Sequence, residues 1–249
     1  MARHLWARVA CAAGMAGADL RELLLPGACA ACRLRGVAPL CADCEGLCPA
    51  PAGPCCLLCG APWTAQRGRS GECGRCLRFG RPFAFETAAA LWRYRGTVRS
   101  LVHAFKYRGR QDLLAPLGAR IARAPRCAAL VSGGAPPLVV PVPARRASRR
   151  QRGYDQAVGL ADGFARALGL RLDPRALVRR REDGPQAGRS RARRRRQAAG
   201  AFRARPARVH GWRVVLVDDV LSTGATADAA ARALLAAGAR SVRVAVLAT

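Results

Sequence analysis

Val214-Val215-Leu216-Val217-Asp218-Asp219-Val220-Leu221-Ser222-Thr223-Gly224-Ala225-Thr226 is an apolar run that ends in two acids and then in a hydroxyl- and glycine-rich turn. The apolar, mostly β-branched residues predict a buried strand, and the Ala-rich segment after Gly224 predicts a helix. An acid pair and a helix N-terminus therefore stand together at the carboxyl end of a strand, where open α/β sheets bind ligands. Unpaired N–H groups at the helix start, together with the hydroxyls of Ser222, Thr223 and Thr226, can surround a phosphate monoester. Gly224 lets the backbone come close to it, Ala225 contributes its backbone N–H, and Asp218 and Asp219 are acceptors suited to vicinal ribose hydroxyls, directly or through a metal-bound water.

Other acid-ended strands compete with this reading. A receiver-type phosphoacceptor pocket and an ordinary strand-turn-helix share parts of the pattern, and a Walker loop also binds phosphate. The turn lacks the Gly-Lys-Ser/Thr ending of the Walker form, which argues against that alternative. Over its whole length the stretch is similar to the ribose-phosphate loop of type I phosphoribosyltransferases.

The second strong pattern is in the cysteines. Eight of the twelve form four Cys-x-x-Cys pairs, Cys29/Cys32, Cys41/Cys44, Cys56/Cys59 and Cys73/Cys76. A two-residue gap points both thiolates at one ion, and two such knuckles complete a tetrahedral four-cysteine zinc site. Sequential pairing predicts two structural zinc ions. Interleaved pairing and a single site satisfy the spacing as well. A segment from Gly27 to Gly80 with few large apolar residues needs such a staple, because metal binding supplies folding free energy directly.

The chain of 249 residues accommodates one sizeable domain and a small accessory region. We divide it into an N-terminal helical segment (1–26), a double zinc-ribbon region (27–80) and an α/β domain (81–249). Formal charge is +28, and every basic residue but one is Arg. Such an excess fits a polyanionic partner, although abundant Ala, Gly, Arg and Pro also point to a GC-rich coding bias. No apolar run approaches the ~20 residues that span a bilayer, and Asp19, Arg21 and Glu22 make the N-terminus an amphipathic helix rather than a leader. A cytoplasmic protein is expected.

Between the two strong patterns, residues 85–94 fit a strand. Val98, Leu101, Val102 and Phe105, then Leu113, Leu114, Leu117 and Ile121, fit two helices. Leu138 to Val142 is a second buried strand, followed by an Arg-rich loop from Arg145 to Arg152 and by a helix with Tyr154, Ala157, Val158, Ala161 and Phe164 on one face. Arg179 to Gln197 is basic and aperiodic, which at that length fits a lid.

Taken in order, these pieces resemble the ComF family, the competence-associated phosphoribosyltransferase-like proteins. The matching stretches are the cysteine pairs, Phe105-Lys106-Tyr107-Arg108-Gly109, Val140-Pro141-Val142-Pro143, Arg152-Gly153-Tyr154-Asp155-Gln156, Pro185-Gln186 with Arg189 and Arg194, and the loop of the opening paragraph. Asp155 and Gln197 stand where family members commonly have Asn. The resemblance implies a mostly parallel sheet with helices on both faces, with the zinc region in place of the variable hood.

The resemblance also implies a phosphoribosyl pyrophosphate ligand with Mg²⁺. Arg145, Arg146 and Arg152 would approach the pyrophosphate, Asp218, Asp219 and Arg194 would serve catalysis, and residues 222–226 would hold the 5′-phosphate. It leaves open whether the chain transfers phosphoribosyl groups to an unidentified base, senses nucleotides, or binds single-stranded DNA beside competence proteins as a non-catalytic module.

Overall fold

The computed structural model describes residues 27–37, 39–51, 53–56, 58–62, 73–77, 83–180 and 200–249. At its centre is β5 (Arg213–Val220), whose Val214, Val215, Leu216 and Val217 are all buried. It lies between β2 (Leu138–Pro141) and β6 (Ser241–Ala248), and β1 (Ala88–Trp92) completes the order β1-β6-β5-β2 with every pair parallel. Burial on both faces explains the unbroken apolar runs of β2 and β5, since helices must cover both sides of a parallel sheet.

One face is covered by α4 (Leu114–Arg123) and α7 (Gln156–Leu168), which also pack on each other. Their backbones meet where a Cβ on Gly118 would lie 2.1 Å from the Leu160 carbonyl oxygen and one on Gly163 2.0 Å from that of Ala115. α3 (Thr97–Tyr107) buries the predicted stripe Val98, Leu101, Val102 and Phe105. The other face carries Leu138, Val140, Val214, Leu216, Val242, Val244 and Val246. These share one core with α9 (Ala225–Ala236), with Phe202 and Ala204, and with Cys56, Cys59, Cys73 and Cys76.

β3 (Leu177–Arg179) and β4 (Phe202–Ala204) form an antiparallel pair, Leu177 opposite Ala204 and Arg179 opposite Phe202. They flank the basic segment expected to be a lid, and residues 181–199, Arg194 included, lie outside the described residues. β6 carries its own mark in the alternating Val242, Val244 and Val246, although it is not among the strands expected above.

The Arg-rich stretch expected as a loop contains a seven-residue helix, α6 (Arg146–Arg152), closed by Gly153 in the left-handed region. None of its residues is buried. Arg is a good helix former, but a helix without an apolar face leaves no period to read.

The chain divides into two compact units, Met1–Leu47 and Cys48–Thr249. The first holds α1 (Ala42–Gly46), and the second holds the sheet and α2 (Gly74–Leu77). The two four-cysteine groups therefore belong to different units. Among the described residues no helix is long and apolar enough to cross a membrane.

Candidate functional site

β2 and β5 are adjacent and parallel, so the segments that follow them leave the same edge of the sheet. After β5 the turn is tied down by the Leu221 N–H donating to the Ala248 carbonyl (2.9 Å). Gly224, at φ +78°, is the N-cap of α9 and has no side-chain cap. Ser222, Thr223 and Thr226 are exposed, Ala225 is half-buried, and the Thr223 hydroxyl accepts from the Ala225 N–H (3.4 Å). Exposed hydroxyls around a helix N-terminus with its partial positive charge are an arrangement that can receive an anion.

The aromatic wall beside this turn was not legible beforehand. A Cβ on Gly224 would meet the Phe83 ring at 2.8 Å, and that ring stacks on Phe85 at 4.7 Å. The Ala84 N–H donates to Asp228 Oδ1 (2.7 Å), while Asp228 Oδ2 accepts from Arg232 (3.1 Å). The segment that leads from the second cysteine group into β1 thus lies directly against the turn. Its only signal in the sequence is the pair of Phe residues ahead of an apolar strand.

The two acids of β5 point to opposite faces, as strand alternation requires. Asp219 is 5 % exposed and faces α3 and α7. Its Oδ2 lies 2.8 Å from the Lys106 ammonium and accepts from Gln156 Nε2 at 3.1 Å. Gln156 Oε1 in turn accepts from Arg152 Nη1 (2.9 Å), and the Arg152 guanidinium lies over the exposed Tyr107 ring. Asp218 is half-buried; its Oδ1 accepts from the Asp219 N–H at 2.8 Å. Burial, and then the Asp219 charge, push the Asp218 carboxyl well above its usual range, against the opposing pull of the Asp219 N–H and of Lys106.

Asp155 is structural in this arrangement. Its carboxylate caps α7 through the Ala157 N–H (3.2 Å) and holds the loop after β2 through the Ala144 N–H (3.0 Å). Either duty needs only an acceptor oxygen, which Asn also has. Arg145 and Arg146 are exposed at the start of α6, and Arg152 is half-buried in the chain of contacts that reaches Asp219.

Both cysteine groups fit a tetrahedral metal. Cys29, Cys32, Cys41 and Cys44 form one, Cys56, Cys59, Cys73 and Cys76 the other, and within each all sulfurs lie within 4.8 Å of one another. The pairing is sequential. Cys32 to Cys41 is 3.7 Å, Cys56 to Cys76 3.7 Å and Cys59 to Cys73 3.6 Å. Zn–S bonds near 2.3 Å give a tetrahedral edge of about 3.8 Å, so these sulfurs are spaced for an ion. The Cys41 N–H donates to Cys29 Sγ and the Cys73 N–H to Cys56 Sγ, which supports thiolate charge.

A parallel sheet with an acid pair, a Gly-headed hydroxyl-rich turn and an Arg-rich segment at one edge defines a phosphoribosyltransferase-type domain, here accompanied by two four-cysteine groups. The profile of the phosphoribosyl transferase domain family matches residues 155–249. The DNA utilization protein YhgH of Salmonella typhimurium is 31 % identical over 229 residues, covering 89 % of this chain and 96 % of that protein. Its Escherichia coli K12 counterpart is 29 % identical over the same shares. The chain belongs to the ComF family of phosphoribosyltransferase-domain proteins. Among solved structures, the glutamine phosphoribosylpyrophosphate amidotransferase of B. subtilis aligns at 27 % identity over 54 % of this chain and 26 % of its own, with a TM-score of 0.39.

Proposed function

We propose that this protein binds phosphoribosyl pyrophosphate at the edge shared by β2 and β5, and that it acts in DNA uptake or nucleotide metabolism. The observation that carries this reading is the exposed Ser222, Thr223 and Thr226 turn headed by Gly224, directly after Asp218. In this reading the turn holds the 5′-phosphate, and Asp218 accepts from the ribose hydroxyls. Arg145 and Arg146 approach the pyrophosphate, and Arg152 supports that side through Gln156. Arg194 and its neighbours belong to the segment that would close over the ligand. Mg²⁺ would offset the pyrophosphate charge and help it to depart from C1. Zinc is the metal assigned to both cysteine groups, and two thiolate sites fit a reducing compartment such as the cytoplasm. The DNA context extends to this chain what its relatives' name says of them.

Calorimetric titration with phosphoribosyl pyrophosphate and Mg²⁺ tests the reading. Binding is expected in wild type and a loss of at least tenfold in Asp218→Ala with an unchanged fold. Pyrophosphate release with a panel of nucleobases then separates a transferase from a sensor. A second reading, a single-stranded DNA module, draws on the exposed Tyr107 ring under Arg152, a pairing suited to base stacking. Binding of single strands that falls steeply with salt and weakens in Tyr107→Ala would favour it.

A further inference from the structure

Lys106 is the only lysine in a chain with 43 basic residues. Elsewhere, including at many exposed positions where the two cations are interchangeable, this protein uses Arg. One retained lysine draws attention to its surroundings. The structure shows what is special about that place. Lys106 lies in the last turn of α3, and the preceding residue is fixed twice: the Phe105 side chain is buried, and its carbonyl accepts from the Tyr154 hydroxyl. From there the ammonium reaches Asp219 Oδ2, an oxygen already bonded to Gln156 Nε2. The Asp219 side chain is 7 % exposed. Both contacts converge on the one oxygen Oδ2, a geometry that suits a compact ammonium better than a planar fork that prefers two parallel acceptors.

We propose that Lys106 is the positioning residue of the acid pair. Its ammonium holds Asp219 turned toward α3 and α7 as an internal ion pair, leaving Asp218 as the carboxylate presented to the ribose. The inference rests on the sugar-phosphate reading above and assigns within it which acid reads the sugar. Alternation along β5 already sends the two side chains to opposite faces, and Lys106 with Gln156 fixes the inner one. The Asp219 N–H bond to Asp218 Oδ1 then sets the outer carboxylate through the backbone. Through Gln156 and Arg152 the same contacts reach α6, so Phe105-Lys106-Tyr107 and Arg152-Gly153-Tyr154-Asp155-Gln156 meet at Asp219. Two sequence stretches that the phosphate turn does not explain acquire one task.

The test uses ribose 5-phosphate, 2-deoxyribose 5-phosphate and inorganic phosphate as probes on the full chain, in wild type, Lys106→Arg, Lys106→Met and the double variant Lys106→Met/Asp219→Asn. Wild type is expected to prefer the ribose compound roughly tenfold, the size of one hydrogen bond to a charged group. Lys106→Arg, with charge kept and melting temperature little changed, is expected to lose most of that preference while its affinity for 2-deoxyribose 5-phosphate and phosphate stays the same. A contact that merely supports the fold would shift all three ligands together. If Lys106→Met is too unstable to measure, the double variant removes the buried carboxylate's charge as well, and is expected to fold with the preference weakened. Wild-type preference retained in Lys106→Arg overturns the assignment of Lys106 alone. Wild type that binds neither sugar phosphate overturns the sugar-phosphate reading and this inference with it.

Discussion

The two cysteine groups are built to one plan and set in different surroundings. In the first knuckle the Cys29 N–H donates to the Leu34 carbonyl and the Arg33 N–H to that of Cys29; in the second the Cys56 N–H donates to Ala61 and the Gly60 N–H to Cys56. Bridges Ala28 to Arg35 and Cys55 to Pro62 close them at matching positions. The residue after the second cysteine is left-handed in both, Arg33 at φ 66° and Gly60 at φ 67°. Arg33 is exposed, whereas a Cβ on Gly60 would lie 2.5 Å from the carbonyl oxygen of Ala88 in β1. Arg33 stands at an exposed turn in one knuckle, whereas Gly60 sets the other directly against β1 of the sheet. The cysteine spacing reports the metal chemistry, and the residue just beyond it reports the surroundings.

The comparison is broken or sharpened most strongly by removing a ligand from each group. A structural zinc contributes about 10–16 kcal/mol in small domains, comparable to the ~5–15 kcal/mol that stabilises a whole fold. Cys59→Ser is therefore expected to lose one zinc and unfold the unit that holds the sheet, read by metal analysis and scanning calorimetry. Cys32→Ser is expected to lose one zinc and leave the main calorimetric transition within a few degrees. Equal collapse in both variants would break the distinction.

Next in size is the exchange of the left-handed residues. Gly60→Ala adds about 1–2 kcal/mol for a left-handed Cβ, and more because the backbone of β1 must move. A loss of about 3 kcal/mol or more in urea denaturation is expected. Arg33→Gly relieves the same strain in open surroundings, and a change of less than about 1 kcal/mol in either direction is expected.

Much of this organisation was legible in the residues. The apolar runs of β2 and β5 required burial on both faces, and the Cys-x-x-Cys spacing pointed to two four-cysteine groups, because both rest on local pattern. What was not legible depends on distant parts of the chain meeting. Lys106 and Asp219 are brought together only when the end of α3 meets the end of β5, and no local pattern encodes that. Asp155 looked like a departure from an expected amide, yet its cap on α7 asks only for an oxygen. α6 was hidden because a solvated helix of Arg has no apolar face. The second cysteine group entered the core of the sheet through Gly60, Phe83 and Phe85, and its ligand spacing does not distinguish it from the first.

Smaller effects test whether that wall reaches the phosphate turn. Phe83 is half-buried between Phe85 and Gly224, so Phe83→Ala is expected to cost about 2 kcal/mol, below the range for fully buried Phe. Its amide exchange should quicken at residues 222–226 more than along β6. If exchange quickens equally in both, the ring is general core packing and the wall does not shape the turn.

Asp228→Ala probes the same connection through the Ala84 hydrogen bond. The carboxylate joins the Ala84 N–H to α9 and pairs with Arg232 one turn on. Arg232 is substantially exposed, so the ion pair contributes little, about 0.3–0.5 kcal/mol. The Ala84 bond matters more, because truncation leaves a half-buried N–H without its acceptor, at a cost of about 1 kcal/mol. Asp228→Asn keeps an oxygen toward Ala84 and gives up the charge pair, so it is expected to stay within about 0.5 kcal/mol of wild type. If Asn is as damaging as Ala, the charge on Arg232 rather than the tether to Ala84 is what Asp228 supplies. The second cysteine group would then act on this turn through the Phe83 ring rather than through Asp228.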